Sequence, residues 1–173
     1  MFSLFKIDYK EPEIKRIEKP VFFTGLEINT TDRTIGRDIG ILGKKFEKIK
    51  SEYPIENAKV PREFAAVTKD YDPANGRMKY MMGDIICEEP KECHPILNTF
   101  QIPEGKYAVF TVKPKAGFLW GYTLGKMKQY IYNTWLPSSG YVNAGTIDDF
   151  EYHDQRSIQK KPEIDLYVAI KDK

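Results

Sequence analysis

The feature that most constrains this chain is that its pattern occurs twice. "LGKKFEKI" begins at Leu42 and "LGKMKQYI" at Leu124, a step of 82 residues, each opening on Leu-Gly-Lys and closing on isoleucine. The same step sets "GLEINT" (25–30) against "YAVFTV" (107–112), Tyr53-Pro54 against Trp135-Leu136, and "MMGDIICE" (81–88) against "EIDLYVAI" (163–170). Four matches in one register mark a duplication, in which each half is one supersecondary unit that completes its core against the other.

Within each half the periodicities read strand, helix, strand, strand. Residues 14–29 are strand-like, Ile39, Leu42, Phe46, Ile49 and Tyr53 recur at helical spacing, and "FAAVTKDY" (64–71) and "RMKYMMGDIICEE" (77–89) flank the turn signal "DPANG". The second half repeats the plan with "GKYAVFTVK", a helix through Trp120, Leu124, Met127, Ile131 and Trp135 that Pro137 ends, then "DDFEYHDQ" (148–155) and "EIDLYVAIK". The expected fold is α+β, a single domain over 1–173 made of two βαββ repeats, about 12–90 and 96–171. A pseudo-two-fold relates them, the sheets are antiparallel with helices over part of them, and a central ligand groove lies where the halves meet.

Composition narrows the function. Hydrophobic residues at 41% and charged residues at 30% suit one well-filled core, and the aromatic share of 13% leans toward tyrosine. The net charge is +2, with basic residues scattered as KK, KIK and KPK rather than gathered into the stripe that nucleic acid requires. "MFSLFKIDYKEPEIKRIEKP" has no apolar signal core, and no run approaches the ~20 apolar residues of a membrane span, so a cytoplasmic location is expected. "CEEPKECH" brings Cys87, Cys93 and His94 together, but His153 is the only other histidine and the spacing is not that of a zinc site. The thiols read as free, and neither metal nor cofactor is expected.

"GKYAVFTV" (105–112), "YNTWLPSSGY" (132–141), "DFEYHD" (149–154) and "EIDLYVAIK" (163–171) together resemble the GyrI-like small-molecule-binding domain. That domain is the effector-binding module of AraC- and MerR-type multidrug-sensing regulators, and the resemblance covers about residues 12–171. It implies a central groove for bulky, often aromatic or cationic molecules, with Glu151 as the groove's acid and Tyr152 at the matching aromatic position. Stand-alone members are similar to proteins that sequester toxic compounds or protect gyrase, and one branch hydrolyses the cyclopropane ring of DNA-alkylating compounds. The regulators carry a helix-turn-helix domain before this module, whereas about a dozen residues precede it here. No separate DNA-binding domain and no direct nucleic-acid contact are therefore expected.

Glu151 stands between Phe150 and Tyr152, so strand alternation sends the carboxylate to one sheet face and the two rings to the other. The position 82 residues earlier is Lys69, which would give the seam one acidic and one basic wall. Among aromatic walls the carboxylate would be desolvated and its pKa raised, and a ligand cation over a ring gains about 0.5–2 kcal/mol. The candidate walls are Phe118, Trp120, Tyr107, Tyr141, Tyr80 and Met82, with Trp135 assigned to the core.

Three functions fit these residues. The first is binding or sequestering a hydrophobic or cationic small molecule. The second is hydrolysis of a strained electrophile, with Glu151 as acid or base and Tyr107 orienting it. The third is a protein-interaction module, gyrase-protecting or otherwise. No nucleophile elbow or phosphate-cradling loop favours the catalytic reading.

Overall fold

The computed structural model describes residues 7–92 and 94–173. Pro20 lies in a break within the first expected strand, giving β1 (Glu13–Ile17) and β2 (Val21–Thr31), followed by helix α1 (Ile35–Glu52). Asp38 in the first turn of α1 accepts from Thr30 Oγ1 at 2.8 Å, placing negative charge where the helix dipole favours it. Next come β3 (Phe64–Asp72), β4 (Arg77–Ile86), β5 (Asn98–Ile102) and β6 (Gly105–Val112). Gly76, at φ +69°, closes the turn between β3 and β4.

Helix α2 (Trp120–Tyr130) continues through a π-helical segment, Ile131–Trp135, into a last turn at Leu136–Ser138. Pro137 thus sits inside the final turn rather than beyond it. The wider π segment comes just where proline, lacking an N–H, breaks the regular ladder. Strands β7 (Tyr141–Asn143), β8 (Asp149–His153) and β9 (Ile164–Asp172) complete the chain.

The strands form one antiparallel sheet, ordered β1-β6-β9-β8-β3-β4-β2-β5, with β7 also on β9. The βαββ repeats are β2-α1-β3-β4 and β6-α2-β8-β9, and they meet where β3 pairs with β8. The flanking strands cross over. β1, which reads as part of the first half, pairs with β6 of the second, and β5 pairs with β2 of the first.

Connectivity forces this sheet to curl. Only Pro103 and Glu104 separate β5 from β6, a reach of about 10 Å, whereas the six strand spacings between them would place them roughly 29 Å apart if the sheet were flat. The ends therefore bend toward each other. The inside of the curl holds Phe23, Val67, Met81, Ile102, Tyr107 and Phe150 as one cluster. The outer face packs Phe110, Leu166 and Val168 under α2, and Leu26, Tyr80 and Met82 under α1.

Val67 lies opposite Phe150 across the seam, and Ala66 opposite Glu151. A dyad normal to an antiparallel pair exchanges opposed residues, so β3 and β8 are related by an odd step, such as the 83 residues from Val67 to Phe150. The step of 82 that holds in β2 and β6 slips by one here, and a slip of one inverts the face. Lys69 projects to the same face as Val67, and Glu151 to the face of Ala66. The opposed acidic and basic walls expected at residues 151 and 69 do not form.

Gly25 and Gly83 lie opposite each other where β2 and β4 pair. A Cβ on Gly83 would collide with the Thr24 carbonyl oxygen and come within 2.7 Å of Gly25 Cα. Gly83→Val should therefore destabilise by at least about 1–3 kcal/mol, read as a lower urea midpoint; an unchanged midpoint would show that the strands can separate here without loss.

Candidate functional site

The period-2 alternation of β8 sends Asp149, Glu151 and His153 to the helix-covered face. From α2, Lys128 and Tyr132, one turn apart, reach down to them. Lys128 Nζ lies 2.8 Å from Asp149 Oδ1, 3.1 Å from Thr68 Oγ1 and 3.9 Å from Glu151 Oε1. The Tyr132 hydroxyl shares its single proton between Asp149 Oδ2 at 3.0 Å and the Asp148 carbonyl at 2.9 Å. His153 Nε2 lies 3.2 Å from Glu151 Oε2. Asp149 and Glu151 are buried, at 2% and 6% exposure, while Lys128 and His153 keep about a quarter of their side chains in water, at 24% and 26%.

Two carboxylates so deep would ordinarily become protonated. Burial does push Glu151 upward, but the hydrogen bond from His153 and the charge of Lys128 outweigh it and hold the group below its ordinary 4.5. The pKa rise expected for this glutamate does not occur, because the protein itself supplies a hydrogen-bond partner and the charge of Lys128. Burial lowers Lys128, yet Asp149 and Glu151 together raise it above 10.5. Tyr80, on the same sheet face, is driven well above 10.0 by burial and by these two anions, so it remains a neutral phenol.

Lys128 was not among the expected site residues. It occupies the helical position that Phe46 holds in the first half, 82 residues earlier, where a phenylalanine is fully buried. A lysine between Leu124 and Ile131 on the apolar stripe of α2 was the available signal: such a charge is buried only when it is paired.

The rim above Glu151 is aromatic. His153 stands 6.5 Å from Trp120 and edge-on to Phe64 at 5.6 Å, and the Arg62 guanidinium lies over Phe64 at 5.4 Å. Arg62 is committed to Asp84 and Glu47, each at 2.6 Å, and Asp84 also holds Lys50 at 2.6 Å.

The sheet divides the expected ring wall. Trp120, Tyr80 and Met82 share the helix side with Glu151, Met82 within the cluster under α1. Tyr107 and Tyr152 lie on the inner face. Tyr107 is 1% exposed, donates to the Pro103 carbonyl at 2.7 Å, is pushed up to about 12 by burial, and meets Phe150 edge-on. Tyr152 packs on Tyr167. Tyr107 therefore cannot orient an electrophile for Glu151, since the sheet stands between them. Phe118 is 83% exposed, and Tyr141 stacks on Trp135 beneath Lys106. Trp135 is buried, its indole donating to Glu11 at 3.2 Å.

The hollow expected beside Glu151 is taken up by Lys128 and His153. A cavity of ≈ 530 Å³ lies instead toward the inner face, along Lys69, Met81, Phe100 and Ile147, and one of ≈ 240 Å³ lies beside Lys15, Thr111 and Arg156. Cys87 is exposed, and Cys93 lies outside the described residues. Among the described residues no helix is long and apolar enough to cross a membrane.

A family model described as "Integron-associated effector binding protein" matches residues 14–170. Among solved structures, an integron cassette protein from the mobile metagenome of Vibrio cholerae is 13% identical with a TM-score of 0.62, over 94% of this chain and 97% of that one. SAV2435, solved bound to tetraphenylphosphonium, is 12% identical with a TM-score of 0.65, over 94% of each chain. The C-terminal domain of EcmrR is 11% identical with a TM-score of 0.62, over 94% of this chain and 98% of that one. At these identities the likeness is one of fold. No curated protein sequence matches the chain.

Lys128→Met should leave two buried carboxylates facing one another and cost about 3–5 kcal/mol of stability at pH 7. The pH dependence should change with it. In the native protein, Glu151 contributes stability that is present above pH 4.5 and lost as pH falls through its lower folded pKa. In the variant the two anions raise each other's pKa, so acidification from pH 7 to 5 should recover stability. Parallel urea-midpoint profiles for the two proteins would contradict this account.

Proposed function

Because the chain belongs to the integron-associated effector-binding protein family, we propose that it binds a bulky amphipathic cation in the seam between α1 and α2, with Glu151 as counter-ion. The observation that carries this reading is the unequal sharing of Lys128. Its ammonium is 2.8 Å from Asp149 but 3.9 Å from Glu151, so Glu151, held ionised by the His153 hydrogen bond and by Lys128, is a buried anion whose nearest lysine is paired more closely elsewhere. Such a carboxylate favours an incoming positive charge, because each new contact is made in low dielectric and the anion is desolvated beforehand.

Trp120 and the ring of His153 stand at the mouth, and Phe64 lies behind His153. Aromatic faces attract cations by their quadrupole and tolerate variation in ligand shape. Entry requires His153 and Trp120 to turn outward, which their partial exposure permits. Tetraphenylphosphonium, the molecule bound in the SAV2435 structure, has the size and charge to test the site. The ring-opening reading has less support: Glu151, held as the anion, suits a base but not a proton donor, and Tyr107, which would orient the electrophile, lies across the sheet.

Tetraphenylphosphonium should quench tryptophan fluorescence on titration. One unit charge about 4 Å away is worth roughly 4 kcal/mol before desolvation, so Glu151→Gln should weaken the cation about tenfold or more. Triphenylphosphine oxide, a neutral relative, should change little. Equal losses for both ligands would remove the electrostatic role of Glu151, and no binding of either would remove the site.

A further inference from the structure

We propose that the inner face of the curled sheet carries a second binding site, for an amphipathic molecule with a single anionic head, a carboxylate or sulfonate on an aromatic body, and that Lys69 is its counter-ion. The 82-residue step sets Lys69 against Glu151, but one residue of slip between β3 and β8 sends the lysine to the opposite face. The inference is therefore independent of the seam reading, because the sheet separates the two sites. On the inner face Lys69 lines the cavity of ≈ 530 Å³, a volume within the range of small-molecule pockets.

The cavity is apolar below and basic along one rim. Met81 and Ile147, on its floor, are buried members of the inner cluster, and Phe100 packs against that cluster. At the rim Lys69 stands directly opposite Lys79 in the pairing of β3 with β4, two residues from Val67 and Met81, so both lysines leave the sheet on the inner face. Opposed side chains start about 5 Å apart at Cβ, and like charges so placed destabilise a sheet. Asp70, at φ +58° where β3 slips register with β4, answers Lys79 at 3.3 Å. Lys69 has no ion-pair partner among the described residues.

Two other acids lie near. Asp148 accepts from the Tyr71 backbone N–H at 2.9 Å and does not line the cavity. Glu27 does line it, from β2, where it opposes Met81 and stands two strands away from Lys69. That end repels an anion and the lysine end attracts it, so a ligand has one orientation. Its head lies between Lys69 and Lys79, where it relieves their repulsion, and its body covers Met81, Phe100 and Ile147. The apolar floor lowers the dielectric on one side of the pair, which strengthens the attraction.

Two probes, 1-anilinonaphthalene-8-sulfonate and N-phenyl-1-naphthylamine, share one aromatic skeleton with and without the anionic group, and both report binding by fluorescence. In titrations at fixed ionic strength, Lys69→Gln should weaken the sulfonate about fivefold, the worth of a partly exposed ion pair, and Lys69→Glu should weaken it further. The neutral amine should bind both variants as it binds the native protein. Trp120→Ala, at the mouth of the seam, should leave sulfonate binding unchanged.

Equal effects of Lys69→Gln on the two probes, or no effect on either, would overturn the role of Lys69, and so would a native protein that binds no sulfonate. Loss of the sulfonate in Trp120→Ala, with Lys69→Gln unaffected, would move the anion to the seam and remove the inner-face site. None of these results touches the counter-ion role of Glu151, which tetraphenylphosphonium tests separately.

Discussion

Two carboxylates two residues apart on a buried strand set the problem that the helix-covered face has to solve. Asp149 and Glu151 point the same way because strand side chains alternate, and they lie under α2 because β8 is at the centre of the sheet. Hydrocarbon there would force both to take up protons. Lys128 and His153 instead keep Glu151 ionised, Tyr132 bonds one oxygen of Asp149 while the other has only its ion pair with Lys128, and Thr68 meets the ammonium. The second half thus buries an ionic network where the first buries Phe46, and two lobes of one plan acquire different chemistry.

The curl of the sheet has an equally direct consequence. A two-residue connection from β5 to β6 draws the ends of the strand order together, so the sheet has an inside and an outside. Three tyrosines go inside, Tyr107, Tyr152 and Tyr167, around Phe150. The acids of β8 go outside, under α2. Residues adjacent in sequence, such as Glu151 and Tyr152, therefore face separate environments and have separate roles.

Much of this was legible in the chain. The strands of each repeat, both helices and the turn at "DPANG" follow from local periodicity and turn chemistry, and the order βαββ twice over follows from the 82-residue step. The equivalence of Lys69 and Glu151 did not follow, because registers in β2 and β6 say nothing about how β3 meets β8, and one residue of slip reverses a side chain. The crossing of β1 to the second half was likewise hidden: a strand records its own alternation but not its partner. Lys128 was visible only as an anomaly, a charge on an apolar stripe without a stated reason.

Sequence alone determined the elements, the duplication and the presence of a glutamate on the central strand, because these depend on residues close together in the chain. Tertiary structure decided which face that glutamate occupies, which cations it meets and whether it stays charged. Those outcomes depend on cross-strand register and on the approach of α2 to β8, contacts between segments some twenty residues apart or more, and desolvation acts only once they are made.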